Sequence, residues 1–346
     1  MWRTATRVLL EGLAPRIDKR LPNSTLPFDR AGMLLPHRDS RLWSWTHYGV
    51  FLPDLPAPWR YLNTMTFIGA TGTRCFDNET VASADCRRNA TVLSSTAHAN
   101  QHHYAAYDID NDCDFSADGR HLRWGEDLTI ENTSPTFTVT GKYETFDVRI
   151  ELDVQPQVSW FVDTPIYRHL SLLAPYRGHI EDDSGITEIS GLGTVEYAKC
   201  VSPQSFTSRP LPRSAKLPAD FFTYQIINIA DDVQLLLTDV RALSVTACRL
   251  AYVRMPGKRA EVYSDVHFEI LEWGEPHVDP MGQTMRMPAQ MRWTITDITE
   301  LVAVIDSPPR YGHGNGYVGA YTYQGRWKGE PVAGSGYFEW VDTEDW

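Results

Sequence analysis

Tyr317-Val-Gly-Ala-Tyr-Thr-Tyr-Gln-Gly-Arg-Trp327, Lys328-Gly-Glu-Pro-Val332 and Ala333-Gly-Ser-Gly-Tyr-Phe-Glu-Trp340 follow one another without a break near the end of the sequence and carry its clearest strand pattern. Alternate residues of a strand share a face, so Tyr317, Gly319, Tyr321, Tyr323, Gly325 and Trp327 make one row, aromatic wherever it is not glycine. Lys328-Gly329-Glu330-Pro331 supplies turn chemistry, and a second strand follows with Val332, Gly334, Gly336, Phe338 and Trp340 on one face. Glycines where backbones crowd, beside aromatics, predict the closing hairpin of a curved β-sheet.

Working back from this hairpin, strand-like alternation recurs as far as Trp43. Trp43, Trp45, His47 and Phe51 fall on one face, and Phe137, Val139, Phe146, Val148 and Ile150 recur in β-branched and aromatic runs. Residues 1–40 read as an arm, with a short amphipathic helix over about Thr4 to Leu13 and then a proline-punctuated stretch through Pro22, Pro27 and Pro36. Pro203, Pro210, Pro212 and Pro218 mark a linker. Beyond it, Phe221 to Ile229, the turn Ala230-Asp-Asp232 and Val233 to Thr238 read as the opening hairpin of a second β-domain. The expected division is an arm at 1–40, a first barrel at 41–202, a linker at 203–218 and a second barrel at 219–346.

The closing stretch, with its Pro331-Val-x-Gly-x-Gly-Tyr-x-Glu339 ending, resembles the lipocalin-like superfamily of carotenoid 1,2-hydratases and double-lipocalin cyclases. A second stretch is similar to the end of that superfamily's first barrel: Val158-Ser-Trp-Phe-Val-Asp-Thr-Pro165, then Leu170, Gly178 and Gly191, and finally Gly193-Thr-Val-Glu-Tyr-Ala198. Where the superfamily carries a Gly-x-Trp-x-Asp-His type segment, Thr194 or Val195 replaces the tryptophan and Glu196-Tyr197 replaces Asp-His. The resemblance implies an all-β protein, two lipocalin-like β-barrels packed together behind a short N-terminal arm, over roughly residues 41 to 341.

Composition excludes several function classes. A net charge of −12 without any basic run argues against a nucleic-acid partner. Five cysteines without a Cys-x-x-Cys spacing give neither a disulfide framework nor a zinc ribbon, so reduced thiols are expected. His98, His102 and His103 lack a placed carboxylate, and Asp108 to Asp114 lacks the glycine and glutamate of a calcium loop, so no metal or other cofactor is expected. Glu11 and Arg16 interrupt the first apolar run, which leaves no membrane span; the expected location is the cytoplasm.

Candidate chemistry centres on Glu196. A carboxyl in an apolar pocket has a raised pKa and serves as a general acid; the alternative is a solvated or arginine-paired strand residue. His47, among tryptophans, is a candidate proton shuttle or a hydrogen-bonded core residue. Tyr197 joins these two as a catalytic candidate. Trp43, Trp45, Trp160, Tyr167, His169, Tyr224, Gln225 and Tyr321 are candidates for ligand binding, Trp160, Tyr167 and His169 because they lie in the segment that resembles the superfamily's aromatic strand. The expected partner is a hydrophobic small molecule, isoprenoid, steroid-like or polyketide, turned over by metal-free acid–base chemistry such as hydration, isomerisation or cyclisation. A non-catalytic carrier of such a ligand is the alternative, and an interaction module with exposed aromatics a third reading.

Overall fold

The computed structural model describes residues 6–28, 33–79 and 81–344. Its strands form two large antiparallel sheets, each curled on itself. In the first, Trp45–Pro53 lies between Tyr61–Gly69 and Gly185–Cys200. The twelve-stranded sheet runs on to His102–Asp108 at one edge and Cys113–Phe115 at the other. Those two edge strands are consecutive in the chain and joined by a short turn, so the sheet wraps round until its ends meet. In the second sheet, Ala219–Ala230 lies between Val233–Ala242 and Glu330–Asp342, and the edge strands Glu261–Tyr263 and Val266–Trp273 are again consecutive. Curling in this way leaves few unpaired edges. These are the two packed lipocalin-like barrels that the sequence led us to expect.

Burial along the strands shows how the barrels meet. Leu128–Thr133 and Thr136–Lys142 alternate between buried and partly exposed residues, with one face on a core and one toward water. Trp45–Pro53 and Tyr61–Gly69 are buried at every position. Their even-numbered residues, Tyr48, Val50, Leu52 and Leu62, fill the first barrel with Val195 and Tyr197. Their odd-numbered residues, Trp45, Phe51, Met65 and Phe67, join a cluster continuous with Phe222, Tyr224 and Tyr337 of the second barrel. The barrels therefore pack outer face to outer face. Phe51 stacks on Tyr337 with ring centres 5.4 Å apart, and Phe161 meets Tyr224 at 5.3 Å.

Two local expectations are refined. The closing turn is tighter than the sequence suggested: Lys328 and Gly329 both have positive φ, 49° and 89°, and Trp327 already pairs with Glu330. A two-residue turn of that conformation matches the twist of the strands it joins, so Glu330 and Pro331 belong to the strand. In the arm, helical turns cover Val8–Leu13, Ala14–Ile17 and Arg20–Asn23. The helix thus runs past Pro15, while Thr4, where it was expected to begin, lies outside the described residues. Between the sheets, residues 201–218 hold two short 3-10 turns, Pro203–Phe206 and Arg213–Ala215. Among the described residues no helix is long and apolar enough to cross a membrane.

Candidate active site

Strand register brings the chemical groups of the first barrel into two adjacent rows on its outer face. His47 and His169 flank Ala198 in one row; in the next, Gly49 and Ser171 flank Glu196. A Cβ on Gly49 would lie 2.6 Å from the Phe51 ring and 2.9 Å from His47 Nε2. Glycine here lets the Phe51 ring and the His47 imidazole pack down on the backbone beside Glu196.

The second barrel answers with Tyr224 and Glu339, paired directly across neighbouring strands. His313 arrives from the Arg310–His313 strand, where Gly312 and Gly314 on either side have φ of 134° and 56°. A Cβ at Gly314 would come within 2.5 Å of the Phe76 backbone, and one at Gly312 within 2.6 Å of the Tyr104 ring. The glycine run around His313 is what delivers an imidazole into a crowded interface.

His169 Nε2 lies 3.1 Å from Glu196 Oε2. On the other face, the Tyr337 hydroxyl donates to Glu339 Oε1 at 3.0 Å, and His313 Nε2 stands 3.5 Å from Glu339 Oε2. His47 Nδ1 lies 2.8 Å from the Thr66 carbonyl, an acceptor, so Nδ1 carries the hydrogen and Nε2 keeps a lone pair. Glu196 and Glu339 are each 2 % exposed. Their protonation nevertheless differs. Burial alone would raise the Glu196 pKa, but the hydrogen bond and charge of His169, with Tyr224 and His47, bring it below the ordinary carboxylate value. This reverses the raised pKa expected for Glu196: its neighbours outweigh its desolvation. Glu339 is pushed well above the ordinary value by burial and then by the charge of Glu196, offset in part by Tyr337. Burial, with His169 next, lowers His47 to about 4, and burial holds His313 well below the usual imidazole range.

Between these groups lies a cavity of about 20 Å³. Trp45, Phe67 and Tyr167 wall it on the first barrel's side, Phe222 on the second's, and the Phe76 loop closes it. That is space for one water molecule. A cavity of this size does not hold the hydrophobic small molecule expected as partner. His169, with its side chain 12 % exposed, and Tyr167 mark the side nearest solvent.

Of the residues singled out in the sequence, Glu196, His47, Trp45, Tyr167 and His169 line this cavity, and Tyr224 lies beside Glu196. Tyr197 does not, because alternation turns it into the first barrel, where its hydroxyl donates to the Leu35 carbonyl at 2.7 Å. Gln225 and Tyr321 likewise face the second barrel's interior, against Met291 and Phe338. Trp43 lies under the Lys199 ammonium at a separate polar cleft of about 230 Å³, and Trp160 under Arg168 at a hollow of about 380 Å³. Sequence reasoning missed His313 and Glu339. The signal for the second was a lone acid between Phe338 and Trp340, on the opposite face of the closing strand. Among the described residues no three His, Cys, Asp or Glu side chains converge as a metal site.

A family model covers residues 65–345 of the chain and is described as a family of unknown function, DUF6670. The chain belongs to that family. No curated protein matches it in sequence. Among solved structures, kievitone hydratase from Nectria haematococca aligns with a TM-score of 0.60 at 10% identity, over 93% of this chain and 95% of its own. A candidate AttH from Nitrosomonas europaea aligns at 0.59 and 16% identity, over 92% and 98%. CghA, in complex with Sch210972, aligns at 0.51 and 12% identity, over 89% and 90%. At these identities the likeness is one of fold, and it extends over both barrels of this DUF6670 protein.

Proposed function

We propose that this protein is an acid–base enzyme acting on a hydrophobic, unsaturated small molecule of isoprenoid, steroid-like or polyketide type at the interface of its two barrels. The observation that carries this reading is the pair of facing glutamates with opposite protonation preferences, since environments that drive two titratable groups apart assign an acid and a base. Glu339, held neutral, is the proton donor; Glu196, ionised and hydrogen-bonded to His169, is the base. Addition of water suits the water-sized cavity. Glu339 gives its proton to an alkene carbon as water oxygen bonds to the neighbouring carbon, and Glu196 takes the proton that water loses. The cycle closes when a proton passes from Glu196 back to Glu339, with His169 and His47 beside the first and His313 beside the second. A hydratase among the structural neighbours supports this choice over isomerisation or cyclisation. Both barrels supply essential groups, so segments 41–202 and 219–346 act as one unit. Substrate entry requires the ring wall of Trp45, Phe76, Tyr167 and Phe222 to part.

The test is incubation with a panel of unsaturated hydrophobic compounds in ¹⁸O-labelled water, followed by mass spectrometry. Labelled oxygen in a product made by the wild type and lost in Glu196→Gln is the expected result. Unlabelled, rearranged product would transfer the same residues to isomerisation or cyclisation. Ligand retained without any product would make the protein a carrier.

A further inference from the structure

Arg254, the last residue of Val245–Arg254 in the second barrel, is 3 % exposed. A guanidinium taken out of water normally rests on a carboxylate, because an isolated buried charge is costly. Arg254 instead rests on neutral oxygens, two of them across the interface and one on its own barrel. Nη1 donates to Ser171 Oγ at 2.9 Å, and Nη2 donates to Thr194 Oγ1 at 2.7 Å and to Gln234 Oε1. Its Nε, also buried, has no hydrogen-bond partner. Ser171 is the cross-strand partner of Glu196, and Thr194 lies two residues before Glu196 on the same strand and face. Arg254 therefore holds two neighbours of Glu196, the carboxyl of the candidate site whose pKa is depressed.

Glu196 is faced by His169 and Tyr167 on one neighbouring strand, by His47 on the other, and from the second barrel by Tyr224, Glu339, Tyr337 and His313. The imidazoles among them can give up a proton, and the others are acids. A guanidinium keeps its charge throughout the working pH range.

We propose that Arg254 is a positioning residue for Glu196, a permanent buried counter-charge that keeps this carboxylate ionised whatever the protonation of the histidines and fixes it by gripping Ser171 and Thr194. The inference rests on Glu196 being the base of the reaction proposed above, but it concerns the charge of the resting protein. On the Arg254 side, burial lowers the pKa to about 10 and the Tyr224 and Glu196 sites oppose that fall; on the Glu196 side the depression comes foremost from His169, then Tyr224 and His47, so it is the grip on Ser171 and Thr194 that carries the proposal.

The experiment needs no substrate. pH-difference infrared spectra of the whole protein report the protonated carboxyl of Glu196, assigned by its loss in Glu196→Gln. In Arg254→Met the midpoint of that signal moves up by about one pH unit or more, as loss of a nearby opposite charge requires. Arg254→Lys restores most of the shift. An unchanged midpoint in a folded Arg254→Met protein overturns the proposal and leaves Arg254 as a tie between barrels. If Arg254→Met does not fold, Arg254→Gln, which keeps amide donors, takes its place. The complementary readout is thermal: Glu196→Gln lowers Tm with Arg254 present and not in the Arg254→Gln background, and equal losses in both overturn it. Failure of every substrate in the labelled-water assay would leave these outcomes untouched, so the two ideas fall separately.

Discussion

Glu196 and Glu339 sit mid-strand, each 2 % exposed, each on the face its barrel turns toward the other. Glu196 has an imidazole at 3.1 Å and a guanidinium gripping its neighbours. Glu339 has a phenol at 3.0 Å, an imidazole that burial keeps neutral, and the charge of Glu196 itself. One carboxyl is thereby pulled below its ordinary pKa and the other pushed above it. Burial is common to both; what differs is whether a neighbour can be positive. The sheets have opposed an anion and a neutral acid, the arrangement a proton-transferring site uses.

The largest expected effect breaks this asymmetry directly. Glu196→Gln removes the proposed base while nearly preserving shape, and turnover of any substrate found in the labelled-water assay should fall ~10²–10⁴-fold, the usual contribution of a positioned proton-transfer group. Glu339→Gln should fall by a similar factor, because an amide has no acidic proton to give. Wild-type rates in either variant would remove that glutamate from the mechanism.

Next in size is the loss of the imidazole hydrogen-bonded to Glu196. His169→Phe leaves a buried carboxylate without its hydrogen bond, which typically costs about 3–5 kcal/mol. The pH dependence has a definite sign. In the wild type the depressed Glu196 pKa contributes stability above the unfolded value, 4.5, and that contribution is lost as pH falls through the folded pKa. Removing His169 raises the folded pKa, so the penalty is greatest at neutral pH and narrows in acid, where the carboxyl is protonated. Chemical denaturation at several pH values measures the gap; a pH-independent gap would mean that His169 only packs.

Glu339→Gln should show a smaller stability effect of the opposite sign. Its raised folded pKa means that the native state keeps a proton that the unfolded chain releases above 4.5. Stability then declines as pH rises from that value toward the folded pKa. Glutamine has no proton to lose, so the variant should match the wild type in acid and gain on it as pH rises. A loss at neutral pH would show that Glu339 is ionised and paired in the native protein.

How much of this was legible depended on whether the information was local. Strand alternation and glycine-rich turns lie within a few residues, so an all-β fold could be read from residues 317–340 outward, while the pairing of two barrels came from the strand count, the proline-marked linker and the family resemblance. The glutamate at 196 and the histidines at 47 and 169 were visible as polar groups in aromatic strands. Of the facing partners only Tyr224 had been singled out; Arg254, His313 and Glu339 come to the Glu196 side only once two barrels dock, and no spacing in the chain encodes that approach. His313 lay inside a glycine run that looked like a simple lead into a strand; the positive φ on both sides of it emerges only in three dimensions. The direction of the Glu196 shift was inaccessible for the same reason, since a pKa depends on neighbours and burial is only one of them.

The smallest expected effect tests which face of the strand matters. Tyr197 follows Glu196 directly and stood beside it as a catalytic candidate, yet it turns into the first barrel, packing against Tyr48 with ring centres 5.3 Å apart. Tyr197→Phe removes the hydroxyl that donates to Leu35 and keeps the ring, so the loss should be that of one hydrogen bond, about 0.5–1.5 kcal/mol, with turnover unchanged. Glu196→Gln, one residue away, should do the reverse, with a large loss of turnover and a modest change in stability. If Tyr197→Phe lowers turnover tenfold or more without unfolding the protein, chemistry reaches the first barrel's interior, and the interface between the barrels is no longer the whole of the site.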